Sequence, residues 1–403
     1  MAMPASVAGH VRIWPRGSRR VLRKIHRWVG LFLMLPLVLQ GLTGTLLIVI
    51  PLLLPGPPHI SDTGPQAGAE AIIAASRASA PPDMIPLRYN PAAHPGDSAL
   101  VTYGPPGERH PTSEVFVNPV HPAVIGTYVI PSWLRFLHNL HADLFLLPYG
   151  QSATGMMGLL LGGMAVTGLI LWWRPGVALW KAGKWRRAIL ISPRARGLRL
   201  WREAHVTIGF WLSFMLLFLA LSGSVLAFPF SRPLFGVHRP APTGHHGHHM
   251  DGARSEHEPG EQGLDAALAA LKARMPEAHL QSVQLGARPD QQSFDVVLPA
   301  YGANHPATVQ YNPQTDILRI SRDPRQQRAG ERSFQWLHTL HEARLASPAP
   351  VALVWKGAVL VTGMGLVFFS ISGVVMWTLR RRATAHRAAQ RGDSGMTPSS
   401  PGV

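Results

Sequence analysis

Two apolar stretches of this chain begin in the same way. Ile25-His26-Arg27-Trp28-Val29-Gly30 opens one that ends near Ile50, and Ala204-His205-Val206-Thr207-Ile208-Gly209 opens another that ends near Phe228. In each, a glycine follows the histidine by four positions, and a second glycine, Gly44 or Gly223, follows it by eighteen. Residues i and i+4 share a helix face, so the first glycine lies one turn from the ring and leaves room beside it. Eighteen helical residues rise about 27 Å, close to the thickness of a hydrocarbon core. Each stretch therefore reads as a membrane span with a histidine at one end. Two more apolar runs of spanning length lie near 152–173 and 351–378. Inside a bilayer every backbone polar group must be satisfied within its own segment, so four such runs predict four transmembrane helices.

Charge gives these spans a direction. The net charge of +17 would suit a nucleic-acid binder, but its distribution argues against one. Residues 1–27 hold seven Lys/Arg and no acid, and residues 174–203 hold nine with Glu203 alone opposing them. The tail from Leu379 holds five with Asp393. Residues 56–150, by contrast, hold four basic and seven acidic residues, and residues 230–350 hold twelve of each. Basic charge flanks the spans on one side only, which is the positive-inside pattern and leaves no excess to assign to nucleic acid. The expected topology puts both termini and the 174–203 loop in the cytoplasm, with the first span a retained anchor. Cysteine is absent, which excludes disulfides, thiolate zinc sites, iron–sulfur clusters and thioether-attached haem.

The order of segments then repeats. A basic start (1–27) precedes the first span (28–54), a polar Pro/Gly-punctuated unit (55–131) and an amphipathic helix (132–148) carrying Leu137-His138-Asn139-Leu140-His141. The second span (152–173) and the basic loop (174–203) complete this half. The third span (204–229), a His-rich segment (230–262) containing His245–His249, a second polar unit (263–331), a helix (332–346) carrying Leu337-His338-Thr339-Leu340-His341, the fourth span (351–378) and the tail (379–403) follow the same plan. Each polar unit reads as one helix and four short strands: Ala67–Ala80 with 84–89, 99–103, 114–117 and 124–130, then Gly263–Arg274 with 280–285, 293–298, 307–311 and 317–321. The fold class expected is an α-helical membrane protein: a four-helix bundle built from two parallel repeats, with two extracytoplasmic α+β inserts.

Three histidine pairs occupy equivalent positions: His26 with His205, His138 with His338, and His141 with His341. One histidine at a span end is readily explained as an interfacial anchor. Three pairs are harder to explain so, because ionisable groups in spans are costly and usually functional. A twofold relation brings each pair together from opposite sides, and two facing imidazoles are what bis-His ligation of a haem iron requires. Gly30, Gly209, Gly44 and Gly223 would clear space for a flat macrocycle. Zinc also takes histidine, but usually adds a carboxylate or thiolate and needs no such clearance. Thr43-Gly44, Thr167-Gly168, Ser222-Gly223 and Ser372-Gly373 are expected to line an outer haem, with small-residue helix packing as the alternative. Trp172, Trp173 and Trp377 read as an aromatic belt.

His-x-x-x-Gly at the start of a span, Thr-Gly near its outer end and Leu-His-x-x-Leu/Arg before the next span together resemble the PepSY-associated transmembrane family, over nearly the whole chain. The resemblance implies that the inserts are PepSY-like. It also implies haem b electron transfer across a bacterial inner membrane to a periplasmic acceptor such as a ferric siderophore, from a cytoplasmic or quinol donor outside this chain. By motif match it makes His26, His205, His141 and His341 the axial ligands of two haems, with His138 and His338 as alternatives or supports. Two other functions compete. One is a membrane-anchored binding module for peptide or cell-wall partners. The other is a metal transporter, against which the spans lack acidic residues.

Overall fold

The computed structural model describes residues 17–54, 56–108, 110–173, 189–237, 263–285, 292–299, 304–346 and 348–393. The basic start before Gly17, residues 174–188 of the basic loop, the His245–His249 cluster and the end of the tail lie outside the described residues. The chain forms two compact units, one of Met1–Val49, Asn139–Pro229 and Trp355–Val403, the other of Ile50–His138 and Phe230–Val354.

The first unit is helical. Its main elements are α1 (Ser18–Phe32) and α2 (Met34–Leu53), then, after α3 and α4 of the intervening insert, α5 (Gly150–Trp172), α6 (Gly197–Ala227) and α10 (Ala349–Asp393). Four of these helices are long and apolar enough to cross a membrane, with mean hydropathy between 1.8 and 2.2. Their outer faces expose Leu35, Leu160, Phe214 and Met364, side chains that suit hydrocarbon rather than water. The first span was expected as one helix, but it is broken at Leu33. Pro36 explains the break. In a continuous helix its ring would clash with the carbonyl of residue 32, at a cost of about 3 kcal/mol, whereas in the first turn of a new helix its missing N–H goes unneeded. The last span was expected to end near 378, yet α10 continues without interruption to Asp393.

Small residues set how closely the spans approach. A Cβ on Gly158 of α5 would fall against Ser224 Oγ and 2.8 Å from the Ala220 carbonyl of α6. A Cβ on Gly363 of α10 would meet Thr45 Oγ1 at 2.5 Å and the Gly41 carbonyl of α2 at 3.3 Å. The α5–α6 and α2–α10 contacts thus use corresponding residues of the two halves. Ser224 Oγ also donates to the Gly155 carbonyl at 2.9 Å, tying the backbones together where a bulkier residue would hold them apart.

The second unit carries β1 (Ile85–Asn90), β2 (Ala99–Gly104), β3 (Ser113–Val117), β4 (Val124–Val129), β5 (His279–Gln284), β6 (Gln292–Val297), β7 (Ala307–Asn312) and β8 (Ile317–Arg322). These lie within a residue or so of the strands expected from alternation. The two α+β inserts expected from the sequence are joined. The strands form one eight-stranded antiparallel sheet in the order β4-β3-β2-β1-β5-β6-β7-β8. Its two halves meet where Arg88 pairs with Gln284 and Tyr89 with Val283. Pairing β1 with β5 removes two open edges at once. One face packs on α3 (Ala69–Arg77) and α8 (Leu264–Arg274), where Ile72, Ile73, Val101, Val115, Leu264, Phe294 and Val309 are fully buried. The two helices cap one another. Asp265 Oδ1 accepts from Ala69 N and Glu70 N at 2.6 and 3.4 Å, and Asp265 N donates to Glu70 Oε1 at 3.2 Å. Gly68 lets this carboxylate reach the start of α3. The histidine-bearing helices α4 (Ser132–Asp143) and α9 (Ala329–His341) lead out of β4 and β8; the four-residue α7 (Ser231–Leu234) follows α6.

Candidate functional site

Arg19 positions α1. Its guanidinium donates to the carbonyls of Ile170, Leu171 and Trp173 at 3.3, 2.9 and 2.8 Å, satisfying the C-terminal end of α5, which has no further turn to bond with. Two turns along α1, this brings His26 to Thr167 of α5, with Nδ1 2.9 Å from Oγ1. His205 of α6 meets Ser372 of α10 in the same way, at 2.7 Å. His141, near the end of α4, places Nδ1 3.0 Å from Thr43 Oγ1 of α2.

These three contacts fix the chemistry of the rings. Each hydroxyl has one proton, and each gives it to its own helix: Thr167 to Met164 O at 3.0 Å, Ser372 to Phe369 O at 3.0 Å, Thr43 to Leu39 O at 2.7 Å. If each hydroxyl donates to its own carbonyl it accepts from the ring, an assignment that puts the hydrogen on Nδ1 in all three histidines. The tautomer follows from this network, and it leaves the Nε2 lone pair as the basic atom. Nε2 of His26 and of His205 has no hydrogen-bond partner among the described residues. This is the arrangement of a metal-ligating imidazole, oriented through its second nitrogen.

Thr167 and Ser372 therefore belong to His26 and His205, a correction to the expectation that all four hydroxyl-glycine pairs line an outer site. α5 and α6 run antiparallel, as do α2 and α10, so the C-terminal ends of α5 and α10 lie level with the histidine-bearing starts of α1 and α6. Thr43-Gly44 is placed at His141. Ser222 lies buried in α6 and bonds Leu219 O at 3.2 Å. The glycines differ in what stands beside them. A Cβ on Gly44 would strike His141 Cε1 at 2.9 Å, so this glycine makes room for the imidazole itself. The space by Gly30 is taken by the Met164 methyl, 2.8 Å from where its Cβ would be, whereas Gly209 has Phe369 at 3.8 Å. Gly223 sits one residue beyond Ser222 in α6.

The two His-x-x-His helices separate their histidines by exposure. His138 and His338 are exposed, and His141 and His341 are half-buried. His141 is further held through Gln40 Nε2, which donates to its carbonyl at 2.9 Å. His338 Nε2 instead pairs with Glu342 at 2.9 Å. Burial works to raise the Glu342 carboxyl, but the His338 hydrogen bond and the charges of His338, Arg344 and His341 hold it below the usual carboxylate value. His341 is the last residue of α9.

Sequence reasoning singled out the hydroxyls without their role, and it missed Gln40, Met164 and Phe369. The latter two occupy corresponding places beside Gly30 and Gly209, a signal visible only once the halves are aligned. Trp172, expected in an aromatic belt, stacks on Phe210 at 4.3 Å between α5 and α6.

A family model described as the PepSY-associated TM region matches residues 23–380. No curated protein matches the chain.

Proposed function

The chain is a membrane protein of the PepSY-associated TM region family, and from that premise we propose that it binds haem b and passes electrons across the bacterial inner membrane. The observation that carries this reading is the shared contact of His26, His205 and His141, each with Nδ1 within hydrogen-bond distance of a hydroxyl on a neighbouring helix. The donor set fits the group. Two neutral imidazoles come from opposite halves of the chain, each with Nε2 as its basic atom, and no thiol is available for covalent attachment. When bound, haem supplies a one-electron iron couple. The protein's part is to hold and orient: Thr167 fixes the ring of His26, Ser372 that of His205 and Thr43 that of His141, while the apolar helices around them keep water away.

In this reading His26 and His205 hold the haem nearer the cytoplasm, because they begin their spans beside the basic flanks. His141 and His341 hold a second haem nearer the periplasm, a pairing that rests on the sequence repeat and on His141's contact with Thr43 and Gly44. The two halves are parallel repeats about an axis along the membrane normal. Both inserts leave the membrane on the same side and form a periplasmic PepSY-like sheet. The acceptor is a periplasmic ferric chelate of the siderophore kind, and the donor is cytoplasmic or a quinol. The test is the absorption spectrum of the purified protein with its haem stoichiometry. Sharp α and β bands on reduction, a pigment extracted by acid acetone and two haems per chain are expected. Folded protein that stays colourless when expressed with haem supplied would overturn the proposal and favour an anchored binding module.

A further inference from the structure

The halves differ where strand hands over to histidine helix. β4 reaches α4 through two residues, 130 and 131, whereas six, 323–328, separate β8 from α9. The longer connection opens a cavity of about 330 Å³ lined by His305, Arg325, Arg332 and Trp336. A second lobe of about 170 Å³ shares His305 and adds Arg322 and Gln335. The larger volume lies at the small end of ligand sites and the smaller one below it.

Three guanidiniums thus border one two-lobed space. Arg325 is oriented by Asp323, whose Oδ1 accepts from Nε at 3.2 Å. Arg322 donates to the Pro306 carbonyl at 3.4 Å and lies 3.9 Å from Asp295. Arg332 makes no ion pair among the described residues. Two buried polar atoms lining the lobes, His305 Nε2 and Gln335 Oε1, have no hydrogen-bond partner. A buried polar atom without a partner costs about 1–3 kcal/mol, so a bound polar group that reached these two atoms after a small side-chain shift would recover that cost. Burial and the nearby Arg322 charge keep His305 below the usual histidine value, so at neutral pH it is an uncharged hydrogen-bonding group. Trp336 walls the larger lobe, with the His305 ring edge-on at 4.5 Å.

We propose that this cavity binds a small polycarboxylate anion. Guanidinium forks match carboxylates in pairs. Arginine in each lobe calls for acidic groups at both ends of one compact ligand, and the His305–Trp336 wall suits the carbon frame between them. The inference does not need the haem reading, since the lining residues belong to the sheet-bearing unit, although His338, an alternative haem ligand, also borders the smaller lobe.

The test is calorimetry on the full-length protein in detergent, using citrate as probe with acetate and inorganic phosphate as comparisons. One saturable citrate site per chain with Kd below about 1 mM is expected. Arg332→Gln should weaken it by about tenfold or more, Arg332→Lys by less, and both variants should keep the wild-type melting temperature. Arg135→Gln, on an exposed pair with Glu108 elsewhere in the same unit, should leave binding unchanged. Absent citrate binding, or binding indifferent to both Arg332→Gln and Arg325→Gln, would overturn the proposal. Phosphate or acetate binding as tightly as citrate would overturn the polycarboxylate assignment.

Discussion

The two halves of the helical unit agree in their polar contacts and differ in their apolar ones. His26 with Thr167 and His205 with Ser372 share one geometry, down to the carbonyl that takes the hydroxyl proton. Beside them, Met164 fills the room at Gly30, while Phe369 stands back from Gly209 and meets His205 edge-on at 5.4 Å. The hydrogen-bonding part of the site has been kept in duplicate while its packing has diverged. The two rings should therefore share a tautomer and a role without being equivalent in environment.

Breaking the shared part should have the largest effect. Thr167→Val and Ser372→Ala each remove the acceptor for Nδ1–H, and each should weaken haem retention by about ten- to a hundredfold. Titration of the apoprotein with haemin measures this. Thr167→Ser and Ser372→Thr, which keep the hydroxyl, should restore affinity. If the alanine and valine variants bind as wild type does, the hydroxyls do not orient the rings.

The close helix approaches come next. Gly158→Ala and Gly363→Ala should each destabilise by about 1–3 kcal/mol. Gly158→Ala should cost more, because its Cβ would press on a backbone carbonyl at 2.8 Å against 3.3 Å for Gly363. Thermal unfolding in detergent reads the order, and the reverse order would mean that the contacts of the two halves are not comparable.

The reciprocal caps are a smaller version of the same comparison. Asp265 accepts from two backbone N–H groups and Glu70 from one. Asp265→Ala should cost about 1 kcal/mol and Glu70→Ala less, measured the same way. The smallest effect is expected from exchanging the divergent packing: Met164→Phe or Phe369→Met should shift the bands or potential of the bound haem slightly without loss of stoichiometry.

The strands, the helices and the four spans were legible because period-2 alternation, unbroken apolar length and basic flanks are local signals. The union of the sheets was not. Tyr89 and Val283 pair across nearly two hundred positions, and nothing within β1 or β5 names its partner. The break at Leu33 could have been read from Pro36, but the apolar pattern runs straight through it. The histidines stood out because they recur. The partners of their rings were misplaced because the hydroxyl-glycine pairs look alike in all four spans, and only antiparallel packing divides them between the two ends. The six-residue connection that borders the arginine-lined cavity is two residues long in the first half, so the repeat gave no hint of it.

The central claim is that His26 and His205, one from each half, hold a single haem. Haem content and spectra of His26→Ala, His205→Ala and His141→Ala, purified side by side, test it most directly. The account predicts that each keeps about half the haem. His26→Ala and His205→Ala should lose the same spectral component, and His141→Ala the other. If His26→Ala and His141→Ala lose the same component while His205→Ala keeps it, the haem is held within one half and the pairing across the two halves is wrong.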